Sequence, residues 1–421
     1  MSFPKELRRS RLQRRFRASS GHRRRSPHRI PYVITSGTQT NTDPTITTNG
    51  VTDFGKIYRG AAQDGPLPTW LGSSPSSFDS IAFAPNEHFI DPQSDVLPIP
   101  GFLFSALRLD WDPTISNPNG YTTLGLVSQG GITSSPSGAV FTFSGMNQVA
   151  LVALNGSISL SGISFANFGQ LFLYARGAGS NLMLAAPISN LEKVRASAEG
   201  SVLVNAPVTV SRSFKSFAGV DFRVGSVVTA NQMKITSLGS IHIDSSAQLI
   251  ALLDAATGSD AQIVILATGG SSSINVKGKV QADQGLVDIR HAGDNGVINL
   301  NNADLRADIV KVAALGTNGT LNIGGGTISA DTTLQLYSTG SNGTINFIAN
   351  VTLGGTSSKI IAGNTVNIFN SVVVTIGGAK PASVFTNNAN YTGSGGNDST
   401  TGTFARLRRY DAAAGQRAAA R

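Results

Sequence analysis

Five aspartates in the second half of the chain recur at spacings that could bring carboxyl groups together on neighbouring elements. Two carboxyl groups roughly 5–10 Å apart can hydrolyse a glycosidic bond, one as acid and the other as base or nucleophile. Arginines accompany some of them, as in Asp288–Arg290 and Asp304–Arg306. Solvated surface positions and turns use the same residues, so both interpretations stay open. The five candidates are Asp283, Asp288, Asp304, Asp308 and Asp331.

A second polar group surrounds one histidine and comprises Asp288, Arg290, His291 and Asp294. None of the five histidines has the i, i+4 partner of a zinc-binding helix, and no G-x-S-x-G motif is present. The chain contains no cysteine, which excludes disulfides, thiolate metal sites and a cysteine nucleophile. We therefore expect no metal and no cofactor, and this cluster is the second-ranked candidate site.

The leading candidate is a column of asparagines that occupy the same place in five successive repeats. Each lies between two apolar residues, so we expect its side chain to point outward while its neighbours point into a core. Stacked amides about 4.8 Å apart can hydrogen-bond as a ladder. Such a ladder could offer a flat polar surface to a glycan or another surface ligand, or it could serve stability alone. The residues are Asn275, Asn299, Asn322, Asn346 and Asn367.

The elements that position these residues form a repeat that starts near Gly101. A small turn residue precedes an apolar-x-apolar triplet, as in Gly156–Leu160 and Gly319–Ile323. The triplets recur about every 19–24 residues, apart from one interval of 33 that contains an extra apolar pair, Ile263 and Ile265. The first apolar residues of the triplets are 158, 182, 202, 222, 241, 274, 298, 321, 345 and 366.

Two further columns of alternating apolar residues keep the same period, one through Leu171 and Leu334 and one through Ile163 and Val351. Three short strands per repeat, separated by Gly, Asn and Ser turns, predict an all-β, right-handed parallel β-helix of about ten coils. A leucine-rich repeat would need helical turns and a fixed Asn or Cys, and a propeller would need blades of roughly 40 residues. Recurrent Asn-Gly pairs, such as Asn318-Gly319, predict tight turns.

Composition changes at both ends of the repeat. Residues 35–100 are rich in Pro, Thr and Asn but keep aromatic side chains, which indicates an irregular N-terminal cap over the open end of the solenoid. The predicted organisation is a basic disordered tail at 1–34, an irregular segment and cap at 35–100, the β-helix at 101–378, a Gly/Asn/Ser-rich linker at 379–403 and a basic Ala/Arg-rich tail at 404–421.

The formal net charge of +9 belongs to the two tails. Residues 1–30 hold eleven Lys/Arg and one acid, and residues 404–421 hold five Arg and one Asp, so the remaining 373 residues carry −5. An arginine-rich arm could bind nucleic acid or an anionic surface, although a solvated tail without a partner has the same composition. No run reaches the roughly 18 apolar residues of a membrane-spanning helix, and the N-terminus lacks the apolar core of a secretory signal.

The repeats resemble the β-helices of bacterial filamentous haemagglutinin-type proteins and autotransporter passengers. The likeness covers about residues 51–395, and it is carried by GSISL, LFLYARGAGSNLMLAAPIS, GTLNIGGGTISADTTLQLYSTGSNGTINF, IIAGNTVNIFNSVVVTIGG, FAPNEHF and GFLFSALRLD. The resemblance implies export, an extracellular or outer-surface location, and an adhesive or matrix role with a glycan or surface matrix as partner. The chain shows neither that family's signal sequence nor a terminal membrane barrel, so we expect it to be a fragment of a larger exported protein.

The sequence thus favours a non-enzymatic adhesin or matrix protein, a rigid rod that binds its ligand through many weak contacts along its length. The first alternative is a polysaccharide lyase or hydrolase built on the same fold. The second is nucleic-acid or anionic-surface binding through the Arg-rich tails, chiefly residues 1–30.

Overall fold

The described part of the chain consists of strands and turns and contains no helix. A computed structural model describes residues 32–34, 45–47, 57–59, 101–104, 107–109, 114–116, 123–128, 130–134, 139–144, 147–153, 155–254, 257–369, 372–377, 383–386 and 408–409. Parallel strands stack coil upon coil into a β-solenoid of about ten turns, as the repeat predicts.

Each complete coil contributes one strand to each of three stacks, which we number in chain order within a coil. Stack 1 contains Gly101–Phe104, Thr123–Ser128, Gln148–Ala153, Gln170–Ala175, the ends of Ile188–Ala198 and Val208–Ala218, Gln232–Ser237, Gln262–Ala267, Leu286–His291, the ends of Val297–Ala314 and Thr320–Ser338, Ser357–Ala362, Ser383–Thr386 and Arg408–Arg409.

Stack 2 contains Leu107–Leu109, Ile132–Ser134, Ile158–Leu160, Leu182–Leu184, Val202–Val204, Phe222–Val224, Ile241–Ile243, Ser273–Val276, the starts of Val297–Ala314 and Thr320–Ser338, Thr344–Ala349 and Thr365–Ile368. Stack 3 contains Thr114–Ser116, Ala139–Ser144, Ile163–Ala166, the starts of Ile188–Ala198 and Val208–Ala218, Val227–Ala230, Gln248–Ala251, Lys279–Ala282, the middles of the two longest strands, Val351–Gly354 and Val374–Gly377.

The strand register confirms the predicted columns residue by residue. In stack 2, Ile298 lies beside Leu321, which in turn lies beside Ile345. The 33-residue coil is long because more residues separate its stack 3 strand, Gln248–Ala251, from its stack 1 strand, Gln262–Ala267, than in the other coils. Ile263 is therefore not part of an extra strand, and it takes an ordinary stack 1 position beside Met233.

Alternation along the strands directs one apolar column of each stack into a single continuous core. Its largest fully buried side chains are Phe214, Phe222 and Phe347. Burying a side chain of this kind stabilises the fold by roughly 1.5–3 kcal/mol. One coil cannot enclose its own apolar side chains, so this stabilisation exists only between stacked coils.

The corners between strands bear out the predicted turns. Asn295, Asn318 and Asn342 take positive φ angles of 54°, 57° and 61°, a left-handed conformation that asparagine tolerates. Their exposed amides also hydrogen-bond from coil to coil, with Nδ2–Oδ1 distances of 2.8 and 2.9 Å. Glycines are also required where turns of successive coils stack closely. A side chain on Gly340 would overlap the backbone carbonyl of Gly316, which lies in the preceding coil.

Short antiparallel strands meet the first coil. Ile57–Arg59 pairs with Gly101–Phe104 in stack 1 and with Tyr32–Ile34, and Thr45–Thr47 pairs with Thr114–Ser116. At the other end, Ser383–Thr386 and Arg408–Arg409 continue stack 1 past residue 378, inside the segments predicted as linker and tail. The rest of the predicted tails, cap and linker lies outside the described residues.

Candidate ligand-binding surface

The five predicted asparagines form an unbroken ladder on the outer side of stack 2. Parallel pairing places Asn275, Asn299, Asn322, Asn346 and Asn367 at the same register in successive coils. Each Nδ2 from Asn299 onward donates to the Oδ1 of the asparagine in the preceding coil, and all four N–O distances are 2.8 Å. We call these five side chains the asparagine face.

The ladder uses only half of the hydrogen-bonding capacity of its central amides. An asparagine amide has two N–H donors and an oxygen with two lone pairs. Asn299, Asn322 and Asn346 each give one N–H and one lone pair to the ladder. Their side chains are half-buried, so the remaining donor and lone pair face the open side of the sheet. The face therefore repeats one donor and one acceptor about every 4.8 Å in a fixed orientation.

Both ends of the ladder differ from its centre. Asn275 Nδ2 lies 3.3 Å from His242 Nδ1 and also donates to Ser273 Oγ at 2.7 Å. At the other end, Thr365 Oγ1 donates to Asn367 Oδ1 at 3.4 Å. The contacts of Asn275 occupy both of its N–H groups, whereas Asn367 keeps one N–H and one lone pair, as the central amides do.

Two exposed apolar side chains flank the end of the ladder, and the sequence analysis missed them. Ile348 is 44% exposed and Phe369 is 46% exposed. Each follows an asparagine of the face by two residues, and a two-residue step along a strand returns to the same side. The signal was present as the apolar doublets Phe347-Ile348 and Ile368-Phe369, since alternation can bury only one member of each. This surface thus combines a row of amide groups with two exposed apolar side chains.

The second-ranked polar cluster is not one site. Asp288 and Arg290 point outward from stack 1 and form an ion pair with each other. His291 points inward and is fully buried. Asp294 lies exposed in the following turn, where its Oδ1 accepts the Thr317 backbone N–H at 2.8 Å. Strand alternation therefore separates the histidine from both of its charged neighbours.

His291 replaces the alanine or serine that other coils carry at this corner. It lies in register with Ala267 and Ala314. Its Nε2 is 2.8 Å from Ser272 Oγ, and its Nδ1 has no hydrogen-bond partner among the described residues. Burial lowers the pKa of His291 below its ordinary value, only partly offset by hydrogen bonds with Ser272 and Gly293. The ring is thus a core residue whose burial disfavours its charged form.

Three of the five candidate aspartates have a partner, either an arginine that neutralises the carboxylate charge or a hydrogen-bond donor that orients the carboxylate. Asp288 and Asp304 pair with the arginine two residues further along, at 2.8 Å for Asp304. Asp283 Oδ1 accepts a hydrogen bond from Gln281 Nε2 at 2.8 Å. Asp283 and Asp304 are thus occupied at partly exposed positions, as expected for solvated surface residues, whereas Asp288 is buried beside its arginine partner.

The remaining two, Asp308 and Asp331, come together at the corner between stacks 3 and 1. Desolvation raises the pKa of Asp308, and so do a side-chain hydrogen bond and charge repulsion from Asp331, with a smaller repulsion from Asp260. One carboxyl of such a pair holds a proton more firmly than an isolated carboxyl does. This is the one pair among the five candidates whose carboxyl groups are hydrogen-bonded to each other.

No group of three or more His, Cys, Asp or Glu side chains in the described residues could hold a metal ion. No described helix could span a membrane. No family model, curated protein or solved structure matches the chain. The resemblance to haemagglutinin-type surface proteins therefore stays a prediction from the repeat motifs.

Proposed function

We propose that this protein is a non-enzymatic, exported or cell-surface β-solenoid that binds glycans through the asparagine face, in the manner of an adhesin or matrix protein. The observation that carries the proposal is the ladder itself, in which Asn299, Asn322 and Asn346 each retain one donor and one acceptor. Sugar hydroxyl groups both donate and accept, so they complement this array.

The apolar neighbours extend the same argument. Sugar rings have apolar faces formed by their C–H groups, and protein sites for them combine such contacts with a few fixed polar groups. Ile348 and Phe369 provide the apolar part beside the last two asparagines of the face. Because the ladder holds the amides in place before a ligand arrives, binding loses little side-chain entropy.

A shallow, repeated surface favours many weak contacts over one tight pocket. Successive asparagines place equivalent groups along the solenoid axis, so a polymer lying along the ladder would meet several of them at once. Linked weak contacts strengthen one another through effective concentration. This arrangement agrees with an adhesive or matrix role better than with turnover of a small substrate.

The experiment is binding of the full chain to an array of neutral and acidic polysaccharides. Asn322→Val together with Asn346→Val removes two central amides while keeping side chains that favour strands. Thr327→Val together with Thr352→Val is the matched control, because these outward residues are register partners on stack 3 in the same two coils. We expect the asparagine variant to lose about tenfold or more in affinity, as two or three hydrogen bonds disappear, and the control to bind normally. Equal binding by all three proteins, or by none, would refute the proposal.

A polysaccharide hydrolase or lyase is the second candidate, and the Asp308–Asp331 pair favours it. Asp308 would serve as the general acid towards a glycosidic bond, with Asp331 holding its proton, because carboxyl groups that share a hydrogen bond lie closer than the roughly 5–10 Å between the two carboxyl groups of the two-carboxylate mechanism. Incubation with the same polysaccharides should then release reducing or unsaturated oligosaccharides. Loss of that release in Asp308→Asn and Asp331→Asn, with retention in Asp283→Asn, would support this candidate over the adhesin.

A further inference from the structure

The last three strands of stack 2 lie in a part of the chain that is almost free of charge. Between Lys311 and Lys380 the sequence contains only two charged residues, Asp331 and Lys359. Asp331 lies at the corner between stacks 3 and 1, and Lys359 lies in the stack 1 strand Ser357–Ala362. Neither residue belongs to stack 2, so the asparagine face carries no charged side chain in these coils.

Stack 2 does carry charges in its earlier coils. Arg223 and His242 occupy the register that asparagine takes from the next coil onward, and Arg223 Nε lies 2.9 Å from Asp244 Oδ2. Lys277 follows the first asparagine of the face by two residues, and no charged residue follows a later one at that distance. An acidic polysaccharide needs cations to replace the water around its anionic groups. Because the face from Asn299 onward offers none, it matches a neutral glycan.

A row of threonines widens the polar surface in the same three coils. Thr320, Thr344 and Thr365 are register partners in stack 2, and each precedes an asparagine of the face by two residues. Their side chains are half-buried, and each hydroxyl donates to a carbonyl or amide oxygen at a distance between 3.3 and 3.5 Å. The hydroxyl oxygens therefore keep lone pairs that can accept hydrogen bonds from sugar hydroxyl groups. We call these three side chains the threonine row.

The exposed side chains of Ile348 and Phe369 border these coils on the other side of the asparagines, and we call them the apolar edge. Gly324, which follows Asn322 by two residues, holds the equivalent position one coil earlier. A Cβ atom at Gly324 would lie 3.4 Å from Ile348 Cδ1. Ile348 therefore reaches across to the preceding coil, and the apolar edge borders all three coils. A sugar ring can rest its C–H face against this edge while its hydroxyl groups meet the polar rows.

The spacing of these rows sets the shape of the ligand. Equivalent groups recur about every 4.8 Å in one line along the solenoid axis, because each row follows one stack of paired strands. An extended β-1,4-linked chain of pyranose rings advances by a similar distance per ring and keeps to a straight line. A coiled chain, such as an α-1,4-linked glycan, turns away from the rows after a few rings. The rows therefore favour an extended chain, which gains contacts in every coil.

We propose that the ligand of the asparagine face is a neutral, extended β-1,4-linked polysaccharide that runs along the solenoid axis with about one sugar ring per coil. The hydroxyl groups at the edge of each ring contact the threonine row and the asparagines, and the C–H face of the ring packs against the apolar edge. This inference rests on the proposed glycan binding, and it adds the charge, the linkage and the direction of the bound chain.

Calorimetric titration of the full chain with three hexasaccharides tests charge and shape separately. The probes are β-1,4-linked glucose, which is neutral and extended, α-1,4-linked glucose, which is neutral and coiled, and β-1,4-linked glucuronic acid, which is acidic and extended. We expect the first to bind at least about tenfold more tightly than the other two, with an affinity that added salt leaves unchanged. Equal or tighter binding of either other probe would overturn this inference. If that binding still disappears in Asn322→Val/Asn346→Val, glycan binding by the face stands without it, whereas binding of none of the three probes would count against both proposals.

A cation placed in the threonine row should change the preference of the face. Thr344→Lys puts an ammonium group beside Asn346, at a half-buried position from which a lysine side chain can reach solvent. We expect this variant to bind the acidic hexasaccharide at least about fivefold more tightly than the unsubstituted chain at low salt, and to lose the gain at high salt. Thr352→Lys, at an exposed stack 3 position in the same coil, is the matched control and should show no gain. Equal gains in the two variants, or a gain in neither, would contradict binding along these rows.

Discussion

At the scale of single residues, local packing differs where a coil carries a residue that the equivalent position of its neighbours does not. His291 occupies a corner where neighbouring coils carry Ala267 and Ala314, and its ring fills the space above Gly296. A side chain on Gly296 would overlap that ring. The histidine and the glycine are therefore one packing unit, although His291 ends a stack 1 strand and Gly296 lies in the turn that follows it.

Because the two residues share this space, we expect the effects of substituting them on stability to be non-additive. Gly296→Ala should lower the free energy of unfolding by roughly 1–3 kcal/mol, the usual cost of overpacking. In the background of His291→Ala the same change should cost much less, because the ring that it strikes is gone. Urea denaturation of the four proteins of this double-mutant cycle measures the coupling. Additive costs would show that the two residues do not share this space.

The buried imidazole also gives a pH dependence whose sign follows from its lowered pKa. The unfolded chain takes up a proton at His291 as the pH falls through about 6.5, whereas the folded chain resists it until a lower pH. Stability should therefore fall as the pH drops below about 6.5, and level off below the folded-state pKa. Denaturation at several pH values between 8 and 4.5 should show a smaller decline for His291→Ala than for the unsubstituted chain. Identical pH profiles would contradict a neutral, buried histidine.

At the scale of strands and stacks, each side of the solenoid has its own chemistry. On stack 2 the asparagines bond along the axis, so an interior member makes two ladder bonds and the end member Asn367 makes one. The turn residues Asn295, Asn318 and Asn342 form a parallel series at a corner. Two amide ladders thus reinforce the backbone pairing of the same coils.

The ladder predicts that substitution costs depend on position. Asn322→Ala breaks two hydrogen bonds and should lower stability by about 1–2 kcal/mol, since each such bond contributes about 0.5–1.5 kcal/mol net. Asn367→Ala breaks one ladder bond and should cost about half as much. Chemical denaturation of the two variants, with Thr352→Ala as an exposed reference, makes the comparison. Equal costs for the interior and end positions would argue against a cooperative ladder.

Local pattern was sufficient to predict the three stacks and the outward asparagines, because period-2 alternation and regular turns are encoded in each coil. The same alternation places Asp288 and His291 on opposite sides of one strand, and grouping them by sequence proximity overlooked this. The pairing of Asp308 with Asp331 depends on how neighbouring corners align, which spacing alone leaves open.

At the scale of the whole molecule, the solenoid behaves as a one-dimensional stack in which each coil contacts only its neighbours. Phe347→Ala removes one of the largest fully buried side chains near the C-terminal coils, at a cost of roughly 3–5 kcal/mol. We expect the loss to appear locally, as faster hydrogen exchange in Thr344–Ala349 and Thr365–Ile368 with little change in Val202–Val204. Mass-spectrometric hydrogen exchange measures this, and uniform acceleration along the chain would indicate a single cooperative unit.

The central claim is that the asparagine face binds glycan chains along its length, and affinity as a function of chain length tests it most directly. Four ladder steps span roughly 19 Å, so oligosaccharides cut from the best-bound polysaccharide should bind more tightly as they lengthen towards that span and gain little beyond it. Calorimetric titration should show this rise for the full chain and for Thr327→Val/Thr352→Val, and should show it abolished in Asn322→Val/Asn346→Val. An affinity independent of length, or a length dependence that survives the loss of both asparagines, would contradict the account.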